Sequence, residues 1–167
     1  MYFETERLII RPYDKYNDRP FVHRMALDPN VNEFVIWEPP QTDEEVDGLM
    51  SRMNYVMVED SNSIGVGFCR LNYITNGVFN IGYYLDPFFW RRGYAIEIAK
   101  GLISNAFNIY NARKVIATCD PNNVKSEKVL VGSGMTLEGL VREDVQLDNG
   151  KWRDSLYYSI LRKEFNW

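Results

Sequence analysis

The chain has 167 residues, 46% of them hydrophobic and 25% charged, with 19 Lys and Arg against 23 Asp and Glu and a net charge of −4. That length suits one domain, expected to span residues 1–167, and the composition suits a packed globule rather than a disordered chain. The acidic balance argues against a nucleic-acid binder, which needs Lys and Arg to neutralise phosphates, and it tolerates a cationic substrate such as an amine.

The opening residues are interrupted by Glu4, Glu6 and Arg7, so no secretory leader is read there, and no run of 18 apolar residues exists to span a membrane. A soluble, cytoplasmic protein is expected. Arg7-Leu8-Ile9-Ile10-Arg11 reads as a first strand closed by Pro12. Residues 21–27 read as a short helix, with the single histidine, His23, on its solvated side. Thr42-Asp43-Glu44-Glu45 has the form of a capping box and opens a helix whose apolar members Val46, Leu49, Met50, Met53 and Met57 recur at helical spacing.

Strands are expected over 63–73 and 78–86, joined by a tight turn at Asn76-Gly77. The most periodic helix follows Pro87, with Ala95, Ile98, Ala99, Leu102, Ile103, Ala106, Phe107 and Tyr110 on one face. A short strand at 115–119, a helix at 123–131 ended by Gly132 and Gly134, and strands at 137–147 and 152–161 around Asp148-Asn149-Gly150 complete the chain. The strand–helix–strand unit favours parallel pairing and the meander antiparallel pairing. The fold class is therefore α/β (α+β), a mixed, mostly antiparallel central sheet flanked by helices. Cys69 and Cys119 lie far apart with no metal spacing and read as reduced core thiols, so no metal is expected.

Chemistry is expected where strands end and helices begin. Asp86-Pro87-Phe88-Phe89-Trp90-Arg91-Arg92-Gly93-Tyr94-Ala95 joins a strand to the long helix. A helix start offers unpaired amides and a positive dipole end, Gly93 permits close approach, and Arg91 and Arg92 add charge, so this junction reads as a pyrophosphate seat. Asp120-Pro121-Asn122-Asn123-Val124-Lys125-Ser126 is the second junction, serving either as a cap or as a polar wall along a ligand. Walker and GxGxxG loops are absent, GxSxG is absent, and one histidine argues against a Ser-His-Asp hydrolase.

Together these segments resemble the GCN5-related N-acetyltransferase (GNAT) superfamily, and the whole chain looks like its RimJ/RimL-like branch of ribosomal-protein N-terminal acetyltransferases. Thr5-Glu6-Arg7-Leu8-Ile9-Ile10-Arg11-Pro12 is similar to that branch's first strand, and Ile81-Gly82-Tyr83-Tyr84-Leu85-Asp86-Pro87 to its fourth. Trp90-Arg91-Arg92-Gly93-Tyr94-Ala95 is similar to the R/Q-x-x-G-x-G/A coenzyme A signature, and Asp120 through Asn123 to Ser126 resembles D-x-x-N-x-x-S. The residues from Leu137 to Glu143 and from Asn149 to Ser159 resemble the branch's closing hairpin.

The resemblance implies a GNAT (acyl-CoA N-acyltransferase) fold and an N-acetyltransferase moving an acetyl group from acetyl-CoA to a primary amine, by direct attack in a ternary complex. The acceptor would be a protein N-terminus or a small molecule, with no metal, nucleic acid or membrane involved and a monomer or homodimer as the working form. Backbone at Tyr83, Tyr84 and Leu85 would pair with the pantetheine arm. Trp90, Arg91, Arg92, Gly93, Tyr94, Ala95 and Ile96 would surround the pyrophosphate, Asn123 would contact the pantetheine or phosphate side, and the Ser126 hydroxyl would lie near the thioester sulfur. Ser126 and Tyr83 are the candidate catalytic residues. Glu33, Glu138, Glu143, Asp144 and Tyr83 are candidate bases, and the segment 31–40 with Phe34 and Trp37 is the candidate acceptor wall. The chain departs from the family pattern at Leu130, where a Tyr is frequent, and at Asn80, where an acid is common. An alternative reading is a non-catalytic acyl-CoA-binding module.

Overall fold

The computed structural model describes residues 1–53, 56–60 and 62–167. Its strands are β1 (Phe3–Glu4), β2 (Leu8–Arg11), β3 (Val56–Asp60), β4 (Gly65–Thr75), β5 (Val78–Leu85), β6 (Lys114–Cys119), β7 (Thr136–Gln146) and β8 (Trp152–Leu161). Its helices are α1 (Arg19–Ala26), α2 (Pro29–Asn32), α3 (Asp43–Arg52), α4 (Tyr94–Asn108) and α5 (Val124–Gly132). All eight strands join one sheet in the order β1-β2-β3-β4-β5-β6-β8-β7. Every neighbouring pair is antiparallel except β5 with β6, which are parallel and joined through α4. The mixed, mostly antiparallel sheet flanked by helices is the architecture expected from the sequence.

Alternation along the strands sorts the core into two layers. Val58, Cys69, Phe79, Ile81, Val115 and Ala117 face α4, whose Ile98, Ala99, Leu102, Ile103 and Ala106 are fully buried against them. Met57 and Phe68 face the other way, onto Val22 and Met25 of α1 and Val46, Leu49 and Met50 of α3. Truncating a fully buried side chain such as Leu102 to alanine costs about 2–5 kcal/mol.

The expected capping box is present: the Thr42 hydroxyl accepts from Glu45 N at 3.2 Å and the Glu45 carboxylate accepts from Thr42 N at 3.2 Å. That helix is shorter than its methionine spacing suggested. It ends at Arg52 with Met53 as cap, and Met57 belongs instead to β3, paired with Arg11 and Phe68. Met57 fits both a 3.6-residue and a 2-residue period, and its neighbours Val56 and Val58 are β-branched residues that favour the strand. The strand read from residue 63 starts at Gly65, because Ser63 adopts a left-handed turn. The Asn76-Gly77 hairpin forms as expected, with φ of 46° and 71°.

Candidate active site

The parallel pairing of β5 with β6 covers only Val78↔Lys114, Phe79↔Val115 and Asn80↔Ile116. Beyond it β5 stays paired with β4 as far as Leu85↔Gly67, and β6 stays paired with β8 as far as Cys119↔Leu156. The two strands therefore part, and the sheet opens into a wedge at their C-terminal ends. Alternate residues of 81–85 turn N–H and C=O groups into that wedge with no strand to receive them. The Leu85 carbonyl is an exception, taken by the Trp90 indole N–H at 2.9 Å. Gly67 allows β4 to lie close behind β5: a Cβ there would sit 2.0 Å from the Tyr84 carbonyl oxygen.

The chain leaves β5 through a turn fixed by the buried Asp86, which accepts from Phe88 N at 2.9 Å and from the Arg24 guanidinium at 2.6 Å. Arg91 and Gly93 then adopt left-handed backbone, φ 63° and 81°, on either side of Arg92. Alternation of handedness turns successive N–H groups toward one concavity, a nest of amides. Gly93 is the N-cap of α4 and has no side chain to fill it, and the first backbone bond of the helix comes only from Glu97 N. Among the described residues, the amides of Tyr94, Ala95 and Ile96 thus have no partner at the positive end of a 15-residue helix.

Glu97, an acid in that first turn, is turned away and neutralised. It accepts from Thr5 Oγ1 at 2.5 Å and pairs with Arg7 at 2.6 Å. Arg7 also donates to the Arg92 carbonyl at 3.0 Å and lies over the Tyr94 ring, so it pins the nest from outside. Trp90 spends its amide on the Pro87 carbonyl and carries Lys125 over its ring at 4.4 Å, so it is a strut under the nest and not one of its amide donors.

On the α4–α5 side of the wedge, the Tyr83 hydroxyl meets the Ser126 hydroxyl at 3.3 Å. Burial pushes the Tyr83 phenol well above its ordinary pKa, with the Ser126 hydrogen bond opposing in part. Asn123 caps α5, its side-chain oxygen accepting from Ser126 N at 3.0 Å. Leu130 is buried in the core, so no hydroxyl enters from that turn of α5. Both cysteines are free and buried, and burial raises Cys119 to about 11, so neither is a thiolate at neutral pH.

On the other face of the sheet Tyr84 stands against Trp37, with ring centroids 4.6 Å apart, and stacks on Phe68. The segment bearing Trp37 reaches across to the β7–β8 hairpin, where Glu38 N donates to Asp148 at 2.8 Å and Arg153 donates to the Phe34 carbonyl at 2.8 Å. The Tyr157 hydroxyl donates to Asp144 at 2.8 Å beside Thr118, its partner on β6.

A family model described as the acetyltransferase (GNAT) domain matches residues 7–136, a span that includes the nest, the wedge and α5. The chain belongs to the GNAT acetyltransferase family. It is 28% identical to the uncharacterized N-acetyltransferase YnaD of Bacillus subtilis across 99% of this chain and 100% of that one. It is 25% identical to the FsC-acetyl coenzyme A-N(2)-transacetylase of Aspergillus fumigatus, over 96% and 76% of the two chains. A GNAT-family acetyltransferase from Bacillus anthracis superposes with a TM-score of 0.87 at 28% identity, over 98% and 99% of the chains. The spermidine N-acetyltransferase of Vibrio cholerae, solved with CoA and spermine, shares the fold at a TM-score of 0.80 and 20% identity, over 94% and 96%. The chain is an acyltransferase enzyme, which displaces the reading of a non-catalytic module.

Within this acetyltransferase, Tyr83, Tyr84, Leu85, Asn123 and Ser126 gather at the wedge, and Arg91 through Ile96 form the nest. Of the candidate bases, Glu138 is removed from the wedge. It is bound by Lys114 at 2.7 Å and by Ser159, near the opposite end of β6, and both partners hold its carboxyl below the usual range. Glu33 and Glu143 are exposed. Sequence reasoning missed Arg7, Glu97, Arg24 and Asp86, which hold the site's loops. Their ion pairs span 90 and 62 residues, and local spacing carries no signal at that range.

Proposed function

We propose that the protein transfers an acetyl group from acetyl-CoA to a primary amine, a protein N-terminus or a small molecule, by direct attack in a ternary complex. The observation that carries this reading is the alignment of a strand-width wedge with an amide nest at its mouth. A pantetheine arm is an extended amide-bearing chain, suited to an unpaired strand edge, and a pyrophosphate is suited to the nest. Backbone of Tyr83, Tyr84 and Leu85 would take the arm as an added strand. The amides of Arg91 to Ile96 would hold the diphosphate, with Trp90 and Asn123 walling its path. Acetyl-CoA supplies the activated acetyl group.

The chain's own groups hold the proton on the leaving side. Tyr83 keeps its proton at neutral pH and donates toward Ser126 or toward a nascent thiolate, so it serves as acid or hydrogen-bond donor and not as base. Backbone N–H groups on the free edge of β5 would stabilise the oxyanion. Holding amine and thioester together supplies much of the rate. The ordered blocks from Thr5 to Ser159 support a place in the RimJ/RimL-like branch. The test is calorimetric titration with acetyl-CoA, with NAD and ATP as controls, followed by thiol release with a panel of amines. Selective binding and amine-dependent release are expected, and absence of binding to acetyl-CoA or CoA overturns the reading.

A further inference from the structure

The peptide joining Arg92 to Gly93 is held from behind. Arg7 Nη1 donates to the Arg92 carbonyl at 3.0 Å, across 85 residues of sequence. A trans peptide is planar, so a carbonyl fixed outward fixes the next residue's N–H on the opposite side. The Gly93 amide is thereby aimed into the concavity that the left-handed Arg91 and Gly93 create. A cation on the carbonyl also polarises the peptide. Hydrogen bonds in series strengthen one another, so the Gly93 N–H becomes a stronger donor.

Arg7 itself has little freedom. Its Nε and Nη2 reach Glu97 Oε2 at 2.7 and 2.6 Å, and its amide donates to Glu97 Oε1 at 2.8 Å. Its guanidinium lies 4.5 Å from the centre of the Tyr94 ring. Thr5 Oγ1 donates to the same carboxylate and accepts from Leu8 N at 3.1 Å, which fixes the turn between β1 and β2 that carries Arg7. Engaging a carboxylate on one side and a carbonyl on the other uses the planar fork of a guanidinium, which an ammonium lacks. Paired with Glu97, Arg7 brings no net charge, so its influence on the nest passes through the Arg92 peptide. Arg92, expected to add charge to the seat, turns its own guanidinium over Phe88 and Phe89, 4.7 and 5.7 Å from their ring centres.

We propose that Arg7 is a positioning residue for the diphosphate end of the acyl donor, acting through the Arg92–Gly93 peptide, and that it sets the preference for donors carrying a diphosphate over donors that end at the pantetheine arm. The inference rests on the acetyl-transfer reading and adds to its donor site a residue from the far side of the sheet's first turn.

The experiment compares two donors, acetyl-CoA and S-acetylpantetheine, which has the same arm and thioester and no diphosphate. The full-length protein and its Arg7→Gln and Arg7→Lys variants are used, each first checked for a cooperative thermal transition. For acetyl-CoA, Arg7→Gln is expected to raise KM about tenfold, the size of one charge-assisted hydrogen bond, with kcat within about twofold of the parent. For S-acetylpantetheine, kcat/KM is expected to stay within about twofold, so the preference between donors falls about tenfold. Arg7→Lys is expected to lie between, because an ammonium reaches Glu97 or the Arg92 carbonyl without the fork. An equal loss with both donors would mark Arg7 as a general support of the fold and overturn the proposal, as would an unchanged KM for acetyl-CoA. If Arg7→Gln lacks the transition, Arg7→Lys decides by the same comparison. Should no amine be turned over, or S-acetylpantetheine prove inert, titration of CoA and of adenosine 5′-diphosphate against parent and variants decides it: parallel weakening of both is expected, and parent-like affinity overturns it. A parent that binds neither CoA nor acetyl-CoA is a separate result, which sinks the acetyl-transfer reading and takes the role of Arg7 with it.

Discussion

The Tyr83 hydroxyl, on β5, lies 3.3 Å from the Ser126 hydroxyl, in the first turn of α5, and the pair ties β5 to the helix that follows β6, beyond the point where those two strands part. Neither residue's side chain makes the nest, so altering them separates chemistry from cosubstrate binding. Ser126→Ala is expected to lower turnover several-fold, within the hundredfold span of a single proton-transfer group, with acetyl-CoA affinity little changed. Tyr83→Phe is expected to lower it further, because it removes the donor itself. Steady-state kinetics beside calorimetry measures both, and turnover equal to the parent in both variants would remove the pair from the mechanism.

Gly93 holds φ at 81° as the cap of α4, and a Cβ there would meet Arg7 Nη2 at 3.4 Å. Gly93→Ala is expected to cost about 1–2 kcal/mol from the left-handed backbone alone. It is also expected to weaken acetyl-CoA binding, because the nest depends on the amides the glycine positions. Chemical denaturation and titration of the same variant check the two effects together.

Gly67→Ala tests the close approach behind the wedge. Its Cβ would collide with backbone, the Tyr84 carbonyl oxygen at 2.0 Å, which cannot rotate aside. Destabilisation of about 3 kcal/mol or more is expected. Tolerance of alanine at this position in a denaturant midpoint would contradict the β4–β5 register described above.

Glu97 carries an acid-side prediction. Burial acts to raise its pKa, but hydrogen bonds from Thr5, the Arg7 amide and the Arg7 guanidinium outweigh it and hold the carboxyl below its ordinary 4.5. A depressed folded-state value means the stabilisation is fully present above the unfolded value and is lost as pH falls through the folded one. Stability is therefore expected to decline below about pH 4.5, and Glu97→Gln to flatten that decline while lowering stability at pH 7 by about 1–2 kcal/mol. Thermal transitions at pH 7 and pH 4 supply the comparison.

How much of this was legible in the sequence depended on range. Gly93 and the arginines beside it announced a tight amide-lined turn at the start of α4, because local backbone chemistry builds one. Thr42 and Glu45 announced a capping box because both partners sit within one turn. The helical spacing that ends in Met57 misled, since a strand residue satisfies a helical period by coincidence. The wedge itself was reachable only through resemblance: nothing in the residues around Asn80 or Ile116 states that pairing stops there. Arg7 with Glu97, and Asp144 with Tyr157, are products of the sheet's order, and hydrophobic periodicity carries no mark of them.

Among the described residues, the three residue pairs joining β5 to β6 are also the one strand-to-strand seam between the first five strands and the last three. Other seams run longer, as between β7 and β8 or β4 and β5. A short seam yields more readily than a long one, and this one opens into the gap the proposed cosubstrate would occupy. A molecule lying there acts as a removable stitch, tightening the halves when it arrives and releasing them when it departs. Turnover and the stiffness of the sheet would then rise and fall together, with the folded protein borrowing part of its cohesion from the molecule it consumes.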